Sequence, residues 1–329
     1  MRVCPRERLR GARIPIQAQA SKDEEVNRNF RMSLARHGVE ISAVVLLAVA
    51  QLAAVQKYDV TGLLLKVDPS GPTILVSCRE IPGYMDAMAM PFAVHDPKTL
   101  EGLEPGVILE FSLVVDKHSS YAENIHVRPF ESLELDPTEA RRLKLMENAM
   151  AAKSNATDVL HAGQSVPNFS LTDQIGHVVS LSQFKGKVVA VTFIYTRCPL
   201  PDYCVRLSNN LGVLQRRFKQ EMGSDLILLT ILIDPIHDQP EFLANYARTW
   251  KADARVWHFL TGSVSDIRQL CRKFDMDFYP DEALLVHSFH TVVIDRSGKL
   301  AANLEGNTFT AQQLGDLVRT VMARSSTSP

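Results

Sequence analysis

Cys198 and Cys204 stand in TRCPLPDYC with five residues between them, and further soft sulfur donors occur upstream as Cys78, Met85, Met88 and Met90. Two thiols in one loop can close a structural disulfide, work as a redox pair or ligate a metal, and a C-x5-C spacing alone leaves all three open. A third donor is available in LLVHSFHTVVID, where His287 and His290 begin a strand-like run. Two thiolates with one neutral imidazole suit copper; a structural zinc site closes with a fourth strong ligand, and none is evident. The upstream cluster points the same way. Thioether and thiolate sulfurs select Cu(I) over hard cations, and Met88 and Met90, two residues apart, fall on one side of a strand. A single methionine usually fills a gap in a core; Met85, Met88 and Met90 within six residues are a pattern that gap-filling does not require.

The elements that must position these residues are legible from periodicity. VVAVTFIYT is an apolar, β-rich run that empties into the cysteine loop, and RLSNNLGVLQRRF after it has helical spacing. From about 166 to 329 strand-like runs (VVAVTFI, LILLTILID, WHFLTG) alternate with helical ones (QPEFLANYARTW, VSDIRQLCRKFD), and HSFHTVVIDRSGKLAANLEG forms a hairpin turning at 295–298. A last helix follows from about 311 to 323. Such alternation implies an α/β, thioredoxin-like domain at 166–329, in which a strand delivers its functional residues to a helix N-terminus that favours thiolate over thiol. Residues 57–130 differ in character. YDVTGLLLKVD, TILVSC, MPFAVHD, VILEFSLVVD and NIHVRPF are short strands broken by Pro- and Gly-containing turns, the pattern of a small all-β barrel, OB-like and closed on itself. Between the two lies a helix and linker at 131–165, its helix at about 138–153. The chain is therefore multi-domain, a small barrel followed by an α/β domain.

Composition narrows the function classes. A formal net charge of -1 gives no general attraction to nucleic acid or to an anionic membrane surface. Five cysteines are too few to staple a chain of 329 residues, and the odd number leaves at least one thiol for another purpose. The N-terminal extension, 1–56, carries ISAVVLLAVAQLAAV from Ile41, an apolar run shorter than the ~20 residues of a membrane span and suited to a secretory signal. Ala48-Val49-Ala50 supplies the small residues of a cleavage site that leaves Gln51 as the new terminus, with Met32 as an internal start. The expectation is export, to the periplasm, either soluble or tethered by an uncleaved N-terminal anchor. A buried helix of the first domain is the other reading of this run.

Two family resemblances follow from these motifs. VTGLLLKVD, IPGYMDAMAMPF and LEPGVILEFSLVV resemble the CusF-like periplasmic copper-binding proteins, five-stranded barrels that hold Cu(I) on Met and His. Met88 and Met90 fall on that family's Met-x-Met pair, Met85 lies where relatives have a Trp or another Met, and Cys78 stands where they place a ligand His. VPNFSLTDQIGHVVSLSQFKGKVVAVTFIYTRCP, ILIDPIHDQPEFLANYA, WHFLTGSVSDIRQL and VHSF with VVIDRSGKL resemble the Sco/SenC family over about 166–321. Those are thioredoxin-fold copper proteins that assist assembly of the binuclear copper centre of cytochrome oxidase. By position Cys198 and Cys204 match its cysteine pair, His287 its metal-binding histidine, and Asp234-Pro235 with Asp238 its acidic segment. The family usually has three residues between the cysteines and a proline after the second; here five intervene and Val205 follows.

The resemblances imply an exported copper metallochaperone with two sites. Cys198, Cys204 and His287 would hold Cu(I), with Cu(II) also open to this set, and Cys78, Met85, Met88 and Met90 would hold Cu(I). Partners would be a cytochrome oxidase subunit or another cuproprotein, with a thioredoxin-like reductant for the cysteines. The alternatives are a thiol-disulfide oxidoreductase with Cys198 and Cys204 as its redox pair, and a copper-buffering protein for detoxification. Cys271 is expected to pack in its helix, Trp250 and Trp257 to anchor the core, and His95, His118 and His126 to lie at the surface.

Overall fold

The computed structural model of the protein describes residues 55–68, 70–130, 159–281 and 284–324. The apolar run from Ile41 to 54, its cleavage signal at 48–50, Met32, Cys4 and the helix expected at 138–153 lie outside the described residues. No helix among the described residues is long and apolar enough to cross a membrane.

Strands β1 (Gln56–Asp68), β2 (Thr73–Cys78), β3 (Ala89–Val94), β4 (Ile108–Val115) and β5 (Ser120–Val127) close into a barrel in the order β1-β2-β3-β5-β4. This is the OB-like unit that the short strands imply. Its interior is filled by Leu64, Ile74, Val76, Phe92, Leu109, Phe111 and Leu113, with the Phe92 and Phe111 rings edge to face at 5.0 Å. Strand β1 shows why its apolar run is unbroken. Successive side chains of a strand point to opposite faces, yet Leu63, Leu64 and Leu65 are all fully buried. Leu64 joins the barrel interior, whereas Leu63 and Leu65 join the core of the α/β fold. The outer face of β1 is therefore covered as well, and the run loses the alternation of a half-exposed strand. Gly62, paired with Cys78, permits close approach of β2: a Cβ there would lie 2.4 Å from Val76 Cγ1.

The α/β fold continues with β6 (Ser170–Thr172), β7 (Val178–Ser180), β8 (Val188–Ile194), α1 (Arg206–Arg217), β9 (Leu226–Leu232), α2 (Pro240–Thr249), β10 (Trp257–Leu260), α3 (Val264–Arg272), β11 (Phe278–Asp281), β12 (Leu284–His287), β13 (His290–Ile294), β14 (Leu300–Glu305) and α4 (Ala311–Arg324). One sheet has the order β10-β9-β8-β13-β14. In it β8, β9 and β10 run parallel, while β13 is antiparallel to both β8 and β14. This mixed, helix-covered sheet is the thioredoxin-like arrangement, and the β13–β14 hairpin turns at 295–298 as its sequence implies. Every residue of β8 and β9 is buried, each aliphatic side chain contributing about 1.5–3 kcal/mol on leaving water. The few polar side chains in these strands are paired: Thr192 with Thr291 at 3.2 Å, and Thr230 with the Trp257 indole N–H at 2.9 Å. Cys271 on α3 is fully buried, as expected of a packing residue.

The barrel and the α/β fold belong to one compact unit. Besides Leu63 and Leu65, they are joined by polar contacts around α4: Ser77 Oγ donates to Asp316 at 2.7 Å, Gln313 to the Ser77 carbonyl at 2.9 Å, and Gln312 to the Ala87 carbonyl at 3.0 Å.

Candidate metal centre

Three segments meet at one end of the sheet because of its strand order. β8 lies between β9 and β13. Its parallel partner β9 therefore ends beside it, and its antiparallel partner β13 begins there. The cysteine loop after β8, the Asp234–Asp238 segment after β9, and His287 to Phe289 before β13 are thereby brought to the same place.

The chain leaves β8 through Tyr195, Thr196 and Arg197, reaches Cys198, and enters α1 through a π-helical turn, Pro201–Val205, that contains Cys204. A wide turn of this kind accommodates residues that an α-helical start would not, and such turns are frequent at functional sites. Both cysteines are free thiols, Cys198 half-buried and Cys204 fully buried. Each cysteine bears on the ionisation of the other. Donation from the Cys204 thiol, aided by the backbone at Leu200 and Cys204 and by the Tyr195 hydroxyl, outweighs burial and brings Cys198 down to about 6. The same hydrogen bond, together with burial, pushes Cys204 well above the ordinary thiol range. The pair is thus asymmetric, a thiolate beside a held thiol. Burial and the two neighbouring sulfurs push the Tyr195 hydroxyl up, so it remains a donor.

His287 ends β12, paired with Phe278 of β11. Its Nδ1–H donates to the Ser288 carbonyl at 2.8 Å, which fixes the tautomer and leaves the Nε2 lone pair for another partner. The ring is buried, and burial lowers its pKa to about 4, so it is neutral at physiological pH. It stands edge-on to Tyr195 at 5.6 Å and packs on Phe289 at 4.4 Å, and Phe289 in turn lies 4.6 Å from Tyr203, the neighbour of Cys204. Tyr195 and Tyr203 therefore connect the histidine to both cysteines. His290 takes no part: it is buried on β13, with Nδ1 2.9 Å from Asn303 Oδ1.

The acidic segment stands beside this set. Asp238 is fully buried, accepts from the Thr196 N–H at 3.3 Å and from the Thr196 hydroxyl, and burial raises its pKa to about 6. Burial alone would raise Asp234 too, but hydrogen bonds from His237 and Arg197 hold it below the usual carboxylate range. Arg197 donates to Asp234 at 2.6 Å, and His237 Nδ1 lies 3.0 Å from each Asp234 oxygen.

In the barrel the sulfur residues lie where β2 ends and β3 begins. Phe92 and Val94 face the interior; Met90, on the same face of β3, is partly buried, and Met88 extends that face beyond the strand and is 49% exposed. Met85, partly buried against the barrel core, is held by paired backbone hydrogen bonds to Ile81 at 2.9 and 3.1 Å. Cys78 lies deeper, 1% exposed, and burial pushes its thiol up to about 12. Cys78, Met85 and Met90 thus share one apolar cluster, and Met88 stands at the rim. Tyr195, Tyr203 and Phe289 were not predicted as site residues. The adjacency of Tyr195 and Tyr203 to the cysteine loop was a usable signal for two of them; Phe289 needed the topology.

Residues 157–323 match the SCO1/SenC family model. The chain belongs to the SCO1/SenC family. Upstream, 57–127 match the model of the copper binding periplasmic protein CusF. Relatives of the SCO1/SenC region include Protein sco1 of Schizosaccharomyces pombe, 30% identical over 141 residues that cover 40% of this chain and 51% of that protein. The SCO1 protein homolog of Bacillus subtilis is 32% identical over 109 residues, 33% of this chain and 55% of that one. The chain thus spans about half the length of these curated relatives. Among solved structures, a SCO1/SenC family lipoprotein from Bacillus anthracis is 27% identical, covers 49% of this chain and 95% of its own, and has a TM-score of 0.44.

Proposed function

We propose that this protein is an exported copper metallochaperone that carries copper on Cys198, Cys204 and His287 and delivers it to a cuproprotein, such as the binuclear copper centre of cytochrome oxidase. Membership of the SCO1/SenC family, joined to a region that matches a copper-binding periplasmic protein, supports both the cargo and the compartment. The observation that carries the reading is the chemistry of the three residues gathered at this end of the sheet. A thiolate at Cys198, a thiol at Cys204, and a neutral imidazole that carries its proton on Nδ1 are linked through the rings of Tyr195, Phe289 and Tyr203. Two sulfurs and one nitrogen fit a soft monovalent ion, and the neutral histidine needs no deprotonation before it ligates.

Binding begins at Cys198, which is already ionised at neutral pH; Cys204 gives up its proton as its sulfur is engaged, so loading releases a proton and requires the reduced pair. The methionines of the barrel, with Cys78 behind them, form a second Cu(I) site, Met88 at the rim receiving the ion. The oxidoreductase and buffering readings are not favoured beside this one.

The test is copper stoichiometry on the reduced full chain. Two bound Cu(I) ions are expected, one lost in Cys198→Ala and the other in Met88→Ala combined with Met90→Ala. A reduced protein that retains its full copper complement in Cys198→Ala would remove the proposed α/β site.

A further inference from the structure

Phe130 follows the barrel's last strand by three residues, outside both matched regions, 57–127 and 157–323. Its ring meets Phe289 edge to face, at 6.2 Å and 73°. It also fills the space over Gly306: a Cβ at that position would come within 2.2 Å of a Phe130 ring carbon, and Gly306 has φ +82. The Gly306 N–H in turn donates to the Phe289 carbonyl at 2.7 Å. Phe289 is thus held by its carbonyl from Gly306 and by its ring from Phe130, while its ring lies 4.4 Å from that of His287 and 4.6 Å from that of Tyr203. The next residues extend the connection to the cysteines. Asn307 donates to the Asp202 carbonyl in the cysteine loop at 2.5 Å, and the Thr308 carbonyl accepts from Arg79 of the barrel at 2.9 Å.

We propose that Phe130, supplied by the segment leaving the barrel, is a positioning residue for the copper centre, holding Phe289 against His287 so that Nε2 keeps its direction. The inference rests on the reading of Cys198, Cys204 and His287 as copper ligands. The physical argument is one of remaining freedom. The bond from Nδ1 to the Ser288 carbonyl fixes which nitrogen carries the proton, but as a contact with the adjacent residue it constrains the ring plane weakly. Ring packing supplies the rest of the constraint, and Phe289 can supply it only while its own ring is backed. The barrel is then a working part of the Cys198, Cys204 and His287 centre in addition to carrying its own sulfur cluster. Groups hydrogen-bonded directly to a metal-bound histidine change affinity by about 10–100-fold when removed, and Phe130, one ring further away, is expected at or below the lower end of that range.

The experiment uses the full chain, reduced and loaded with Cu(II), and reads the sulfur-to-copper charge-transfer band, the copper hyperfine splitting and the affinity against a chromophoric chelator. Phe130→Ala is expected to shift the band and the splitting and to weaken binding by up to about tenfold. Phe130→Tyr, which keeps the ring, is expected to restore all three. Gly306→Ala, which displaces the ring from the other side, should reproduce the Phe130→Ala spectrum. Thermal unfolding of the metal-free proteins separates a repositioned site from an unfolded one, and where Phe130→Ala does not fold, Phe130→Leu is read in its place. A folded Phe130→Ala or Phe130→Leu with the wild-type band, splitting and affinity overturns the inference alone. A reduced wild-type protein that binds neither Cu(I) nor Cu(II) at Cys198, Cys204 and His287 removes the copper reading and this inference with it.

Discussion

The Tyr195 hydroxyl helps to hold Cys198 below the ordinary thiol range, while the Tyr195 ring stands edge-on to His287 at 5.6 Å and 80°. One side chain therefore acts on both the cysteine and the imidazole, and its two effects can be separated chemically. Tyr195→Phe keeps the ring and removes the donor. The expected result is a folded protein in which Cys198 titrates higher than in the wild type, seen as slower alkylation of the metal-free protein at pH 6.5. The change should be modest, because the Tyr195 hydroxyl ranks after Cys204 and the loop backbone among the groups that stabilise the thiolate. An unchanged rate would mean that the hydroxyl does not reach the sulfur in solution.

The asymmetry of the cysteine pair gives a sharper expectation. Cys198 at about 6 reacts with iodoacetamide at a rate that is half-maximal near that pH, whereas an ordinary thiol titrates near 8.5. Cys204, held protonated and fully buried, reacts much more slowly. Since the Cys204 thiol is the largest influence on Cys198, Cys204→Ala should move the Cys198 profile up towards the ordinary value. Mass spectrometry of alkylated peptides over pH 5–9 measures both thiols at once. Equal labelling of the two cysteines at pH 7 contradicts the asymmetry.

The thioredoxin-like half was legible because its signals are local. Fully buried parallel strands read as unbroken apolar runs, and TRCPLPDYC with VHSF marks Cys198, Cys204 and His287 as candidate donors by residue type. The barrel was legible from its turns, Asp96-Pro97 and Glu104-Pro105-Gly106 among them. What was not legible was long-range. Nothing near Phe289 announces that it packs on His287 and Tyr203, because that follows from β13 running antiparallel to β8. Nor does Leu63-Leu64-Leu65 say that its alternate members serve two different cores. Period two marks Met88 and Met90 as sharing a face, but the exposure of one and partial burial of the other depend on where β3 begins.

The division of labour within β1 can be measured. Leu64→Ala opens a cavity inside the barrel, and Leu65→Ala opens one in the core of the α/β fold, both from fully buried positions. Each is expected to destabilise by about 2–5 kcal/mol, the usual range for a buried leucine. The informative readout is which transition moves during denaturant unfolding. Leu65→Ala should lower the midpoint reported by Trp250 and Trp257 fluorescence, although the substitution lies in the barrel. A tryptophan transition indifferent to Leu65→Ala means that the outer face of β1 does not pack on the α/β core.

The last expectation concerns acid stability, where two neighbours of the cysteine loop oppose each other. His287, lowered to about 4 from an ordinary 6.5, is buried neutral; its contribution is fully present above pH 6.5 and is lost as pH falls through 4. Asp238, raised to about 6 from 3.8, is buried protonated, so its contribution is present below pH 3.8 and is lost as pH rises through 6. Each shift is worth about 3 kcal/mol at 1.36 kcal/mol per pKa unit. The two slopes have opposite signs over nearly the same window and offset each other in the wild type, with His258 and His290 adding to the His287 side. Single variants remove one side of the offset. In His287→Leu the Asp238 slope is opposed by His258 and His290 only, and between pH 4 and 6 stability should rise less than in the wild type, or fall where the wild type does not. In Asp238→Asn the His287 slope stands alone, and stability should rise over the same range, reinforced by His258 and His290, whose pKa values burial also lowers. Urea denaturation of the three metal-free proteins at pH 4, 5 and 6 tests this. Parallel profiles for His287→Leu and Asp238→Asn would show that the two groups are not held in the protonation states assigned to them.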